Sequence, residues 1–259
     1  MRRLMVFPCA GERLSGTLDE APGKTGLLIV SGGNEVRMGA HRGMASLAAR
    51  LAASGVPVFR YDRRGIGDST GSNGGFLDSA PDIAAAAATF SAETRIERLV
   101  AFGTCDAATA LALFHGVAAI DAMILANPWV IETADGLPPA AAIRARYAQR
   151  VRDPATYLRL LRGGIDFGKL FRGLRNLRQR DSEGAQDLIE RVKAALERTD
   201  HVTIVLATAD ATAIAFSDAM RDATLRARIH RIETASHSFA RETDQAALET
   251  IIRNALVTP

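Results

Sequence analysis

Short apolar runs recur along the chain, and most are separated by longer segments with a different pattern. The central runs are rich in Val, Ile and Leu, and they are continuous rather than alternating in polarity. Continuous apolar strands are typical of a parallel sheet that is covered on both faces. The predicted strands are Leu4–Pro8, Arg13–Leu18, Thr25–Ser31, Val56–Asp62, Arg98–Gly103, Ala122–Asn127, His201–Ala207 and Ala227–Glu233.

Segments with helical spacing of apolar residues lie between these runs. In the first segment Met44, Leu47, Ala48 and Leu51 recur at helical spacing, and Gly55 follows as a stop signal. Strand–helix alternation of this kind predicts a doubly wound, mostly parallel α/β sheet. The predicted helices are His41–Ser54, Asp82–Glu93, Asp106–Gly116, Ala211–Ala223 and Asp244–Val257.

The stretch 129–200 interrupts this alternation. It contains no good strand and several helical patterns, and Gly136-Leu137-Pro138-Pro139 lies near its start. We therefore predict one α/β core formed by residues 1–128 and 201–259, with residues 129–200 as a helical cap insertion over one end of the sheet. Near the N-terminus, Gly11-Glu12 joins the first two strands as a hairpin.

Composition narrows the class of protein further. The 259 residues carry a net charge of +3, which is too mild to indicate a nucleic-acid partner. Two cysteines exclude a disulfide scaffold, and no Cys/His cluster predicts a metal site or a cofactor. Every run without charged residues is shorter than the ~20 residues of a membrane span. The apolar stretch behind the basic N-terminus is too short for a secretion signal, so we predict a cytoplasmic protein.

The segment Gly103-Thr104-Cys105-Asp106-Ala107-Ala108 carries the clearest chemistry. An apolar strand leads through a small residue to one reactive residue and then to a helix, which is the layout of a nucleophile elbow, with cysteine in place of serine. The sharp turn requires small neighbours, and the helix N-terminus favours a negative charge on the sulfur. The alternative is a buried cysteine that only packs in the core.

Two later residues complete a catalytic triad in the order nucleophile, acid, base. Asp210 follows the strand His201–Ala207, and His237 lies in the loop after the last strand. We predict that Cys105 is the nucleophile, His237 the base and Asp210 the carboxylate that orients the imidazole. Two other acids, Asp218 and Asp222, fall inside a predicted helix and are weaker candidates.

The loop that begins at Ser31-Gly32-Gly33 is predicted to supply part of an oxyanion hole. Acyl transfer requires two N–H donors aimed at the developing oxyanion. One is predicted to be the amide of Asp106, and the other the amide of Gly33 or Asn34. Further along the loop, Arg37 and His41 are predicted to bind an anionic group of the substrate. The alternative is that the arginines of this loop are solvated or pair with acids.

The segment Asp62-Arg63-Arg64-Gly65-Ile66-Gly67 lacks a complete phosphate-binding motif and is interpreted as a structural loop beside the elbow. Asp106 is unexpected beside a nucleophile, because its charge opposes formation of a thiolate. We predict that Arg63 or Arg64 pairs with Asp106 and offsets this charge.

The chain resembles the α/β-hydrolase superfamily over nearly its whole length, on the strength of the Asp62–Ser69 segment, the elbow and the late Asp/His pair. The Gly32-Gly33 loop, the stretch Arg37–Arg42 and the Gly103–Ala108 segment together look more specifically like the exosortase A system-associated hydrolase 1 family. That resemblance implies a cytoplasmic hydrolase or acyltransferase linked to exopolysaccharide and protein-sorting systems. It also implies that serine-esterase behaviour does not transfer directly, because the usual serine is a cysteine here.

We therefore predict a hydrolase of esters or thioesters that forms a covalent acyl-enzyme on Cys105. Two alternatives remain: an acyltransferase with the same triad, and a non-catalytic accessory protein with this fold. Eleven Arg and Lys residues between positions 144 and 180 face only two acids there. This segment is predicted to be a cap with solvated arginines, or else a surface for an anionic substrate carrier or an anionic membrane.

Overall fold

The sheet forms where the apolar runs predicted it. In a computed structural model, which describes residues 1–130 and 183–258, eight strands form one sheet in the order β1-β2-β4-β3-β5-β6-β7-β8. The strand β2 pairs antiparallel with β1 and β4, and all other neighbours are parallel. The strands are β1 Arg2–Cys9, β2 Glu12–Asp19, β3 Thr25–Val30, β4 Val58–Tyr61, β5 Arg98–Thr104, β6 Ala122–Ala126, β7 Val202–Ala207 and β8 Ala227–Ile232.

Helices cover both faces of the sheet, so successive residues of each central strand enter different cores. Leu28 and Val30 of β3 pack in one core with residues of α2, α3, α4 and α5. Leu27 and Ile29 of the same strand pack in the other core with α1 and α6. The α-helices of the described ranges are α1 Gly43–Ala53, α2 Ala80–Glu93, α3 Asp106–Phe114, α4 Glu183–Arg198, α5 Ala211–Ala219 and α6 Glu242–Val257.

Two predicted boundaries require correction. The hairpin turn is Ala10-Gly11 rather than Gly11-Glu12, because Cys9 pairs with Glu12 and both turn residues have positive φ. Such a two-residue turn follows the twist of the two strands. The fourth strand begins at Val58 rather than Val56, because the Val56 amide donates to Leu51 at the end of α1.

The predicted cap falls mostly on residues 131–182, outside the described residues. Helix α4 belongs to the same predicted insertion. Its Leu188, Val192 and Leu196 are buried in the core that contains α2 and α3. The last part of the predicted insertion therefore contributes to the main hydrophobic core.

The parallel strands place the candidate functional residues at one edge of the sheet. Val30 lies opposite Tyr61 of β4 and Gly103 of β5, so these three strands end at the same level. The carboxyl ends of parallel strands are where ligands bind in α/β folds. The segments that carry Cys105, Asp210 and His237 all follow strand ends at this edge.

Candidate active site

Cys105 occupies a sharp turn between β5 and α3. Its backbone has φ 60° and ψ −126°, a conformation that L residues seldom adopt. The Cys105 amide donates to the Ala126 carbonyl at 2.9 Å, and the Ala108 amide donates to the Cys105 carbonyl at 3.1 Å. Strained backbone of this kind persists where its surroundings fix it, and it is concentrated at functional sites.

Gly103 makes this turn possible. A Cβ at position 103 would lie 2.9 Å from the carbonyl carbon and oxygen of Ala107, closer than real Cβ atoms approach. Strand and helix backbones therefore approach each other more closely than a side chain allows. The geometry explains why a glycine precedes the Thr104-Cys105 pair.

Asp210 and His237 are brought together from two strand ends. Asp210 is buried at the start of α5, and its Oδ2 lies 3.1 Å from His237 Nδ1. The same oxygen accepts the amides of Thr212 and Ala213 at 3.1 and 3.2 Å, so the helix start fixes the carboxylate. Asp218 instead pairs with Arg221, which follows the end of α5.

The environment of His237 favours the charged imidazolium. Hydrogen bonds to Asp210 and to Cys105 raise the pKa of His237 to about 10, against an opposing effect of burial. The Cys105 side chain is thus a second hydrogen-bond partner of the imidazole beside Asp210. At neutral pH this arrangement favours an imidazolium beside the sulfur.

The amide of Gly33 is already engaged. It donates to Asp106 Oδ1 at 2.6 Å, so a side chain from the elbow occupies one of the donors predicted for the oxyanion hole. Within residues 1–130 and 183–258, neither the backbone amide of Asn34 nor that of Asp106 donates a hydrogen bond. These two N–H groups are therefore the better candidates for oxyanion binding.

The predicted pairing of Asp106 with an arginine is found with Arg63. Its Nη2 lies 3.8 Å from Asp106 Oδ2, and the same nitrogen donates to the Gly33 carbonyl. Asp106 thus binds the N–H of Gly33, and Arg63 binds its C=O. Arg64 instead binds Asp82 and Asp78 at the start of α2.

The side chain of Arg37 forms hydrogen bonds within the protein. Its guanidinium donates to Asp62, to Asp68 at 2.9 Å and to Thr17 at 3.1 Å. His41 has an exposed side chain at the start of α1. The structure therefore brings neither residue to the triad by a described contact, and substrate binding by them remains a prediction.

Asp62 was missed as an organiser of this edge. It is fully buried, and it accepts the Arg37 amide at 2.6 Å and the Asp68 amide at 3.1 Å. A Cβ at Gly67 would lie 2.3 Å from its Oδ2. These contacts agree with the interpretation of the segment as a structural loop, and a carboxylate directly after a buried strand was the available signal.

Glu35 is a second carboxylate near the triad that sequence reasoning did not single out. Burial raises the pKa of Glu35, the Ala40 amide and the charge of His237 lower it, and the charge of Asp106 raises it. The only sequence signal for a role of Glu35 was its position in the oxyanion loop.

Among the described residues, no group of three or more His, Cys, Asp or Glu side chains could hold a metal.

No helix in the described ranges is both long enough and apolar enough to cross a membrane. No match to the sequence was found among curated proteins.

Several solved structures share the fold at low sequence identity. The chain is similar to the α/β hydrolase GrgF from Penicillium sp. sh18, with 15% identity, TM-score 0.65 and coverage of 100% of both chains. It is similar to the Pyrococcus furiosus esterase Pf2001, with 12% identity, TM-score 0.62 and coverage of 98% of this chain and 92% of that one. A hydrolase from Pseudomonas aeruginosa PA01 gives 21% identity, TM-score 0.60 and 99% coverage of both chains.

The sequence pattern of the alpha/beta hydrolase family matches residues 27–250, a range that begins in β3 and extends into α6. It spans the elbow, the carboxylate and the histidine described above. The chain belongs to the alpha/beta hydrolase family.

Proposed function

We propose that the protein is a hydrolase of esters or thioesters that acts through Cys105, His237 and Asp210. The observation that carries the proposal is the 3.1 Å contact between Asp210 and His237, with Cys105 as the other hydrogen-bond partner of the imidazole. The strained elbow backbone of Cys105 supports the same assignment. Family membership supports hydrolase chemistry of this general kind.

The reaction has two halves. The Cys105 thiolate attacks the acyl carbonyl, and the oxyanion accepts hydrogen bonds from the amides of Asp106 and Asn34. The tetrahedral intermediate collapses, the bond to the alcohol or thiol breaks, and the leaving group takes the proton of the His237 imidazolium. Neutral His237 then removes a proton from water, which attacks the thioester, and the acid and the Cys105 thiolate are released.

Asp210 acts on the imidazole only. It accepts the Nδ1 proton, holds the ring in one orientation and stabilises the positive charge on it. The ion pair between Asp106 and Arg63 reduces the electrostatic cost of a carboxylate beside the thiolate. Both effects favour the charged pair from which the reaction starts.

The finer assignments rest on the sequence resemblance. The arrangement Gly32-Gly33, Arg37–Arg42 and Gly103–Ala108 supports a cytoplasmic role linked to an exosortase or exopolysaccharide system. Thioesters are proposed beside esters because a thiol nucleophile exchanges readily with a thioester. No cofactor is part of the proposal.

A kinetic comparison tests the proposal. Wild type and Cys105→Ala are assayed with p-nitrophenyl esters and simple acyl thioesters of two to twelve carbons, with Cys9→Ala as the matched control. We expect turnover by wild type and Cys9→Ala and none by Cys105→Ala. The assay is repeated with an added alcohol. If the acyl group then appears in a new ester of that alcohol, the protein is an acyltransferase instead. Turnover that survives in Cys105→Ala overturns the cysteine mechanism.

A further inference from the structure

Asn127 links two segments of the triad through one buried side chain. It follows β6 directly and is fully buried, although it is polar. Its Nδ2 donates to the backbone carbonyl of His237 at 3.0 Å, and its Oδ1 accepts the amide of Ala207 at 2.8 Å. Ala207 ends the strand that leads to Asp210. One amide therefore connects the base-bearing loop with the acid-bearing strand.

A primary amide suits both of these contacts. The His237 carbonyl needs a donor and the Ala207 N–H needs an acceptor, and the side-chain amide of Asn127 supplies both from one planar group. The backbone at Asn127 also has φ 44°, a left-handed conformation that Asn tolerates better than most residues. The backbone N–H of Asn127 donates to the carbonyl of Val205 at 2.9 Å, so the backbone of Asn127 is bound to the same strand.

Other contacts anchor the backbone of the His237 loop on either side of the histidine. Thr234 donates to Asp244 at 2.6 Å on one side, and Phe239 is buried on the other. Neither contact touches His237 itself. Among the described residues, Asn127 holds the backbone carbonyl of His237, and Asp210 holds the imidazole separately.

We propose that Asn127 is a positioning residue that sets where the His237 imidazole stands between Asp210 and Cys105. The inference rests on the proposed triad. Loss of the bond to the His237 carbonyl frees the loop, moves the imidazolium away from the sulfur and removes the counter-ion of the thiolate. Loss of the bond to Ala207 affects mainly stability, because Asp210 is fixed separately by the start of α5.

Two variants separate these effects. Asn127→Asp keeps an acceptor for the Ala207 amide, and in its ionised form it loses the donor to the His237 carbonyl. Asn127→Gly tolerates the positive φ and loses both contacts. Ser79→Ala is the matched control, because it removes another buried side-chain bond, to the Phe76 carbonyl at the start of α2. Thermal unfolding establishes that each variant folds and ranks their stabilities.

The readout is the pH profile of Cys105 alkylation by iodoacetamide, followed by peptide mapping from pH 5 to 11. The groups facing the imidazole are Asp210, Cys105 and, through its charge, Glu35. We expect both Asn127 variants to shift the alkylation profile to higher pH by about one unit, which lowers the rate about tenfold at pH values below the wild-type midpoint, although Asn127→Gly is the less stable. Ser79→Ala is expected to keep the wild-type profile.

The two proposals fail in different ways. The positioning role is overturned if Asn127→Asp and Asn127→Gly leave the alkylation profile unchanged. It is also overturned if the shift of the profile follows the stabilities of the two variants rather than the lost bond to His237. His237→Gln tests the triad separately. If it leaves the wild-type profile unchanged, the triad is wrong, whatever the Asn127 variants do.

Discussion

At the scale of single residues, Asp210 uses one oxygen for two purposes. Its Oδ2 accepts the two amides at the start of α5 and also lies against His237 Nδ1. Asparagine is as good at a helix N-cap as aspartate, so its oxygen can still accept the amides. It carries no charge to stabilise the imidazolium. The N-cap bonds of α5 therefore depend on the side-chain oxygen, whereas stabilisation of the imidazolium depends on its charge.

Asp210→Asn is expected to unfold within a few degrees of wild type and to lose about 10²–10⁴ in turnover, as expected for loss of a triad carboxylate. Thermal unfolding and ester hydrolysis measure the two effects. Asp218→Asn is the control, because Asp218 pairs with Arg221 on the surface of α5. If Asp210→Asn is fully active and Asp218→Asn is inactive, the acid has been assigned to the wrong residue.

The charge on His237 predicts how stability changes with pH. Its pKa is about 10 in the folded protein, above the ordinary value of 6.5, so its contribution to stability is fully present below pH 6.5 and lost as pH rises through about 10. We compare the free energy of unfolding of wild type and His237→Gln by urea titration from pH 6 to 10.5. The advantage of wild type is expected to shrink across that window. A constant difference would show that the imidazole is not charged in the folded protein.

At the scale of secondary-structure elements, the strands could be predicted because two-sided burial leaves a continuous apolar run. All six residues of β7 are buried, and the run at 201–207 shows this in the sequence. Helix α3 was predicted together with the elbow because small residues bracket Cys105. Contacts between loops distant in sequence could not be predicted in this way. The capture of the Gly33 amide by Asp106 and the bond from Asn127 to the His237 carbonyl depend on the assembled sheet.

The junction of β5 and α3 gives a prediction at this scale. Gly103→Ala places a methyl group 2.9 Å from the backbone of Ala107, and we expect it to destabilise the protein by about 1–3 kcal/mol. Gly116→Ala is the matched control, because a Cβ there has no atom within 4 Å among the described residues. Urea unfolding compares the two. Equal stability of Gly103→Ala and wild type would mean that strand and helix are not so closely packed.

At the scale of the whole molecule, the site is assembled from strand ends that are far apart in the sequence. Cys105 follows β5, Asn127 follows β6, Asp210 follows β7 and His237 follows β8, and these strands are neighbours in the sheet. The order of the strands could therefore have predicted the meeting of these side chains, once the sheet was assumed to be parallel. The predicted cap at this edge and its charge remain a proposal from sequence.

The alternative to a cap with solvated arginines is that the basic segment 144–180 binds an anionic substrate carrier, and this alternative makes a prediction of its own. Arg172→Glu combined with Arg175→Glu is expected to lower turnover of carrier-linked acyl groups several-fold while small-ester turnover is unchanged. The same loss is expected for wild type when salt is raised from about 50 to about 500 mM. Sedimentation with anionic and neutral vesicles tests a membrane surface instead. Indifference of both assays to charge and salt would leave these arginines as a solvated surface.

The central claim is that Cys105 carries the acyl group. The alternative thiol, Cys9, is buried, donates to Asp82 at 3.3 Å, and has its pKa raised to about 11 by burial and by that carboxylate. The most direct measurement is rapid quenching of the enzyme with an activated ester, followed by intact-mass analysis and peptide mapping. We predict one added acyl group, found on the Cys105 peptide and removed by hydroxylamine. Acylation of Cys9, or no covalent adduct during measurable turnover, would contradict the account.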